Sequence, residues 1–74
     1  MPKLPVLQDK DVIRLLKQLG FADVRQKGSH RIFRHQDGRR AVVPMHGGHD
    51  IPRGTLKALF QDINIDLRDI IEKL

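Results

Sequence analysis

The chain has 74 residues, a formal net charge of +5 at neutral pH and no cysteine, which excludes disulfides and thiolate zinc sites. Its length predicts a single domain over residues 1–74, near the lower size limit for a fold held by an apolar core alone. No stretch is apolar over the length needed to cross a bilayer and the N-terminus lacks a signal-peptide pattern, so we expect a cytoplasmic protein with no membrane partner.

The first predicted element is an amphipathic helix that Gln8 or Asp9 caps. Its apolar residues recur at the three- and four-residue spacing of one helical face, and they are Val12, Ile13, Leu15, Leu16 and Leu19. Gly20 followed by the apolar Phe21 predicts a left-handed cap with a hydrophobic contact at the end of this helix.

Three strands are predicted next. Alternation favours a strand over residues 22–27, and Gly28-Ser29 connects it to a second strand over residues 30–35. Residues 36–39 contain an Asp-Gly hairpin turn, and the valine-rich residues 40–45 form the third strand. If the second strand is regular, His30 and Phe33 point to opposite faces. We expect Phe33 in the core with Val24, Ala41 and Val43, and His30, Ile32 and Arg34 on the open face of the sheet.

Two helices complete the predicted order. Residues 46–50 form a polar loop, and Pro52 suits the first turn of a helix that carries Leu56, Leu59, Phe60 and Ile63. Asn64 and Ile65 end it, and Asp66 with Asp69 opens a short final helix carrying Leu67, Ile70, Ile71 and Leu74. The fold class is therefore α+β, an α-β-β-β-α order in which two helices cover one face of a three-stranded antiparallel sheet, followed by a short C-terminal helix.

The candidate site is Gly28-Ser29-His30. Histidine takes and gives protons near neutral pH, and Gly28 allows a close backbone approach to a ligand. Residues 25–40 contain six cations and one carboxylate, which indicates a polyanionic partner. The cations are Arg25, Lys27, Arg31, Arg34, Arg39 and Arg40. From these residues alone, a plain turn at Gly28-Ser29 with His30 as a surface residue is the favoured interpretation, and the charge can also be that of a basic, soluble surface.

The predicted order resembles the double-stranded-RNA-binding fold, and the sequence motifs resemble those of the HicA toxins, messenger-RNA interferases of toxin-antitoxin pairs. The resemblance covers nearly the whole chain. It rests on Leu19-Gly20-Phe21, Lys27-Gly28-Ser29-His30 with Phe33, Asp37-Gly38-Arg39, Val43-Pro44-Met45-His46-Gly47 and Gly54-Thr55-Leu56. The chain departs from the expected pattern at Gln8, a weak helix cap.

The resemblance implies an endoribonuclease that cleaves mRNA with His30 as its catalytic residue and that a HicB-like antitoxin inhibits. The RNA-binding residues are then expected to be Lys27, Gly28, Ser29, Arg31, Arg34, Arg39, Arg40, Arg53 and Lys57. His46 is a candidate for the secondary acid or base, and a lysine or water are the alternatives for this role. Two other functions remain open: a non-catalytic RNA-binding module of double-stranded-RNA-binding-like fold, and an interaction protein that docks a partner on its basic face.

We expect no cofactor and no metal site. His46 and His49 flank two glycines that leave them unorganised as ligands, and no fourth ligand is evident. Arg53 and Lys57 lie where a helix N-terminus favours a phosphate, although Lys57 can also be an ordinary solvated residue. The three phenylalanines suit the core, so recognition should depend on the RNA backbone and shape rather than on base stacking by aromatic side chains. His35 is assigned no role.

Overall fold

The computed structural model describes residues 5–45 and 47–73, with Leu67 described by its backbone alone. Its elements are α1 (Asp9–Gln18), β1 (Ala22–Lys27), β2 (His30–Arg34), β3 (Arg40–Pro44), α2 (Arg53–Asp62) and α3 (Leu67–Lys73). The strands form one antiparallel sheet in the order β1-β2-β3. The predicted α+β fold with its α-β-β-β-α order and short final helix is confirmed, while Leu74 lies outside the described residues.

The glycine cap at the end of α1 is confirmed. Gly20 has a φ of +94°. Its N–H donates to the Lys17 carbonyl at 3.1 Å, and the Phe21 N–H donates to the Leu16 carbonyl at 2.9 Å. These two bonds are the Schellman pattern, which satisfies carbonyls that have no partner within the helix. Because Phe21 is also only 3% exposed, the cap directs the chain from α1 into the core and on to β1.

The other helix ends are also stabilised or terminated by residues close to them in the sequence. The weak cap at Gln8 is supported by Asp11, whose Oδ2 accepts the Gln8 N–H at 2.9 Å. Asn64 adopts a φ of +58° after α2. Asp66 caps α3 as predicted, since its Oδ1 accepts the Arg68 N–H at 2.9 Å.

The core lies between one face of the sheet and the helices. Phe33 and Val43 are fully buried, and Ala41 is nearly so. These three strand residues belong to one apolar cluster with residues of all three helices, among them Leu15, Leu16, Leu56, Phe60 and Ile70. Phe33, Ala41 and Val43 therefore occupy the core positions predicted for them. In the described part of the chain, no helix has the length and apolar character that a membrane span requires.

The prediction that Val24 lies in the core is wrong. Asp23 pairs with Phe33 and Arg25 pairs with Ile32, so Val24 is an extra residue in a β-bulge of β1. Its side chain is 52% exposed. The bulge shifts the alternation of the strand, which is why simple parity misplaced this residue. β2 and β3 each end one residue earlier than predicted, as is usual at strand ends.

Candidate functional site: the open face of the sheet

The face of the sheet opposite the core is formed by alternate residues of the three strands. Phe33 faces the helices, so the residues on either side of it in β2 point the other way. The pairing of the strands then assigns their neighbours to the same side. We call this surface the open face, and it comprises Ala22, Arg25, Lys27, His30, Ile32, Arg34, Arg40, Val42 and Pro44.

His30 is the first residue of β2, the central strand, and its side chain is exposed on the open face as predicted. It pairs with Lys27 of β1 on one side and with Pro44 of β3 on the other. Directly opposed residues in an antiparallel sheet have Cβ atoms about 5 Å apart. The Lys27 ammonium and the His30 imidazole can therefore meet the same small anionic group.

The turn before His30 is a two-residue hairpin loop. Gly28 has a φ of +59°, whereas Ser29 is not among the described residues of positive φ. This combination is that of a type II′ turn, which takes glycine at its first position and matches the twist of the strands. The Ser29 carbonyl accepts the Met45 N–H at 2.7 Å, which attaches the turn to the chain beyond β3. His30 is thus held at both sides by backbone pairing.

Four cations share the open face with His30: Arg25, Lys27, Arg34 and Arg40. All four are exposed. Arg34 and Arg40 stand directly opposite each other, and within the described residues neither forms an ion pair. Like charges at such a pair are destabilising unless an anion lies between them. Lys27, Arg34 and Arg40 are thereby brought to the same surface as His30.

Arg31 is turned away from this surface. It pairs with Val43, a core residue, so its side chain leaves the sheet on the side of the helices. Its Nε lies 2.8 Å from Asp23 Oδ2, an ion pair whose N–H does not point at the oxygen as in a regular hydrogen bond. The structure therefore places Arg31 and His30 on opposite faces, although they are neighbours in the sequence.

Arg39 is engaged in the hairpin between β2 and β3. Its guanidinium donates to the Ile63 carbonyl at 2.7 Å and to Asp37 Oδ2 at 2.8 Å. It also lies over the Phe21 ring, 5.2 Å from the centroid, within cation–π range. These contacts join the hairpin to the segment between α1 and β1 and to the end of α2, so Arg39 has a clear part in the fold.

His35, to which the sequence assigned nothing, belongs to the same cluster. Its ring meets Phe21 edge to face with 5.1 Å between centroids, and its Nδ1 accepts the Asp37 N–H at 3.1 Å. The Arg39 N–H donates to Asp37 Oδ1 and lowers the pKa of that carboxyl below its usual value. Sequence reasoning missed this cluster because its aromatic partner lies fourteen residues earlier in the chain.

The remaining predicted residues are not joined to His30 by the structure. Arg53 and Lys57 are exposed in the first half of α2, in the layer on the other side of the sheet. His46 lies outside the described residues. Across residues 5–45 and 47–73, no three potential ligands of the His, Cys, Asp and Glu types come together as a metal site would require.

Comparison with known protein families decides the assignment. The family model for the HicA toxin of bacterial toxin-antitoxin systems matches residues 10–65, three quarters of the sequence. The chain belongs to the HicA toxin family. This HicA chain therefore has a toxin role, and its family implies an antitoxin partner and an RNA substrate. Searching curated proteins yields no match. The matched residues contain the whole open face and the turn before His30.

Proposed function

We propose that this HicA chain is an endoribonuclease that cleaves mRNA in the cytoplasm with His30 as its catalytic residue. The observation that carries the proposal is the position of His30 on the open face. The imidazole is exposed at the start of the central strand, opposite Lys27 and on the same surface as Arg25, Arg34 and Arg40. A proton-transfer group within a cationic surface is the combination that phosphodiester cleavage needs.

The proposed reaction is a transesterification. His30 takes the proton of an RNA 2′-hydroxyl, and the 2′-oxygen attacks the adjacent phosphorus. The bond from phosphorus to the 5′-oxygen breaks, and that oxygen receives a proton from an acid. Lys27 stabilises the charge that develops on the phosphate, because it is the cation paired with His30. The acid is Lys27, His46 or water. The products carry a 2′,3′-cyclic phosphate and a 5′-hydroxyl.

No metal is required by this scheme. Support comes from the described residues, which bring no group of three potential ligands together. We therefore expect cleavage to continue in the presence of a chelator.

The test is incubation of the purified chain with a long RNA. His30→Ala should abolish cleavage, while His49→Ala, which removes another exposed histidine, should leave it unchanged. The fragments should carry a 5′-hydroxyl end. Loss of activity in chelator that magnesium or manganese restores, or fragments with 5′-phosphates, would refute the proposed mechanism. Salt-dependent RNA binding without any cleavage would identify a non-catalytic RNA-binding module instead.

We further propose that a HicB-like antitoxin inhibits the chain by covering the open face. An acidic partner on this surface would shield His30 and use the charge of the surrounding cations. Expression of the chain alone should arrest growth, and co-expression with the adjacent gene should restore it. The double variant Arg34→Glu/Arg40→Glu should bind the antitoxin much more weakly. Unimpaired growth on expression of the chain alone would contradict this proposal.

A further inference from the structure

The open face has an apolar centre beside His30. Ile32 lies at this centre and is only 9% exposed, although it belongs to the face opposite the core. Its partner Val42 is 39% exposed, and Pro44, the partner of His30, is partly buried. Val42 and Pro44 are two residues apart on one face of β3, a separation of about 7 Å. Val42 and Pro44 thus present aliphatic side chains over a length comparable to one nucleobase, next to the imidazole.

Charge surrounds this apolar surface. Lys27 lies beyond His30, Arg25 lies beyond Ile32, and the Arg34–Arg40 pair lies at the other end of the strands. Arg34 is four positions after His30 in β2, about 13 Å along an extended strand. A nucleic acid presents phosphates at its edges and bases between them. The arrangement of a cationic rim around an apolar centre therefore fits a short length of RNA whose bases turn toward the protein.

The position of the apolar surface indicates whether the bound RNA is single-stranded or double-stranded. In an A-form duplex the base faces are stacked inside the helix, so a flat surface meets phosphates, ribose hydroxyls and base edges but no base face. An unpaired nucleotide can instead lay its base on Val42 and Pro44 and leave its ribose and phosphate beside His30. An unpaired nucleotide also has the backbone freedom that lets the 2′-oxygen line up with the leaving 5′-oxygen.

We infer that Val42 and Pro44 form a subsite for the unpaired base next to the scissile phosphate, so that the chain cleaves single-stranded RNA despite a fold that resembles duplex-binding domains. This inference rests on the proposed ribonuclease function. The contact is aliphatic: Phe21, Phe33 and Phe60 are buried to 3%, 0% and 4% exposure, and the chain has no other aromatic ring of the phenylalanine, tyrosine or tryptophan type.

The test uses a short RNA with one cleavage position, intact or with a base removed while the ribose is kept. For the wild type, removing the base on one side of the cleaved bond should lower kcat/KM about three- to fivefold, the effect of uncovering one half-exposed valine side chain. Val42→Ala should lower it by a similar factor on intact RNA and should add nothing on the base-free RNA. Val6→Ala is the control, because Val6 is an exposed valine that precedes α1 and lies outside the sheet. A fully paired duplex should be cleaved much more slowly than the single strand.

Independent, multiplicative effects of Val42→Ala and base removal would overturn the inference, as would equal cleavage of duplex and single strand. Val42→Thr, which keeps the β-branched shape on the edge strand, provides the same comparison if the alanine variant folds poorly. A Val42 variant that weakens antitoxin binding but leaves all RNA kinetics unchanged would assign the apolar surface to the antitoxin. Failure of the subsite alone leaves the His30-dependent cleavage intact, whereas a wild type that cleaves no RNA refutes both proposals.

Discussion

The salt dependence of RNA binding is the sharpest quantitative test of the open face, because it counts the cations that contact phosphate. Residues 25–40 contain six cations. Arg31 pairs with Asp23 on the core side of the sheet, and Arg39 is held by Asp37 and the end of α2. Four cations remain on the open face, and we expect these four to set the salt dependence.

For single-stranded RNA, four phosphate contacts predict a slope of log K against log salt of about −2.8, whereas all six cations would give about −4. Between about 50 and 200 mM salt, the affinity should then fall about 50-fold. Arg34→Gln removes one contact, which reduces the slope to about −2.1 and the fall to about 20-fold. Arg31→Gln should leave the slope close to that of the parent, because its side chain leaves the sheet on the opposite face.

The measurement is fluorescence anisotropy with a labelled, unstructured RNA in the His30→Ala background, so that the RNA stays intact. Arg14→Gln is the matched control, since it removes the same charge from an exposed position on α1. An affinity indifferent to salt would refute electrostatic binding. Equal effects of Arg14→Gln and Arg34→Gln would show that net charge, rather than the open face, controls binding.

Four further predictions concern residues that support the fold around the site. Arg39→Ala should lower the free energy of unfolding by about 1–2 kcal/mol, because it removes a partly buried charged hydrogen bond and a cation–π contact. Denaturant titration tests this loss, and the anisotropy titration should show an unchanged salt slope. Asp37→Asn should destabilise the fold at neutral pH, and thermal melts should show the difference disappearing as the pH falls through the lowered pKa of Asp37, where the stabilising carboxylate is lost. Gly28→Ala should cost about 1–2 kcal/mol for its left-handed φ alone. Gly20→Ala should cost more, because its Cβ would also lie 3.0 Å from Nε2 of His35.

Much of the candidate site could be predicted from sequence patterns that span only a few residues. Gly20 and Phe21 end α1 with hydrogen bonds to the preceding turn, and Gly28 takes the positive φ that a tight hairpin requires. The opposite directions of His30 and Phe33 followed from parity, because β2 pairs without interruption with β3. The sequence was therefore sufficient to place His30 at the start of a strand on the uncovered face of the sheet.

Ile32 shows the limit of the parity argument even where it succeeds. The residue lies on the predicted face, yet its side chain is 9% exposed instead of open to solvent. Parity determines direction, whereas exposure depends on the size and position of the neighbouring side chains, here Arg25 and Val42 on the flanking strands. The apolar surface beside His30 could be recognised only once these cross-strand pairs were known.

The sequence by itself determined the order of the elements, the turns and the direction of His30, because these depend on backbone preferences and periodicity over a few residues. Only the tertiary structure decided how the six cations of residues 25–40 are divided. The bulge at Val24 changes which residues of β1 share a face with His30, and it is visible only in the pairing with β2. Arg39 is bound by a carbonyl 24 residues away, at Ile63, a contact that no local pattern encodes. The charge of this stretch was thus evident from composition, whereas its division between the open face and the fold required contacts between residues distant in sequence.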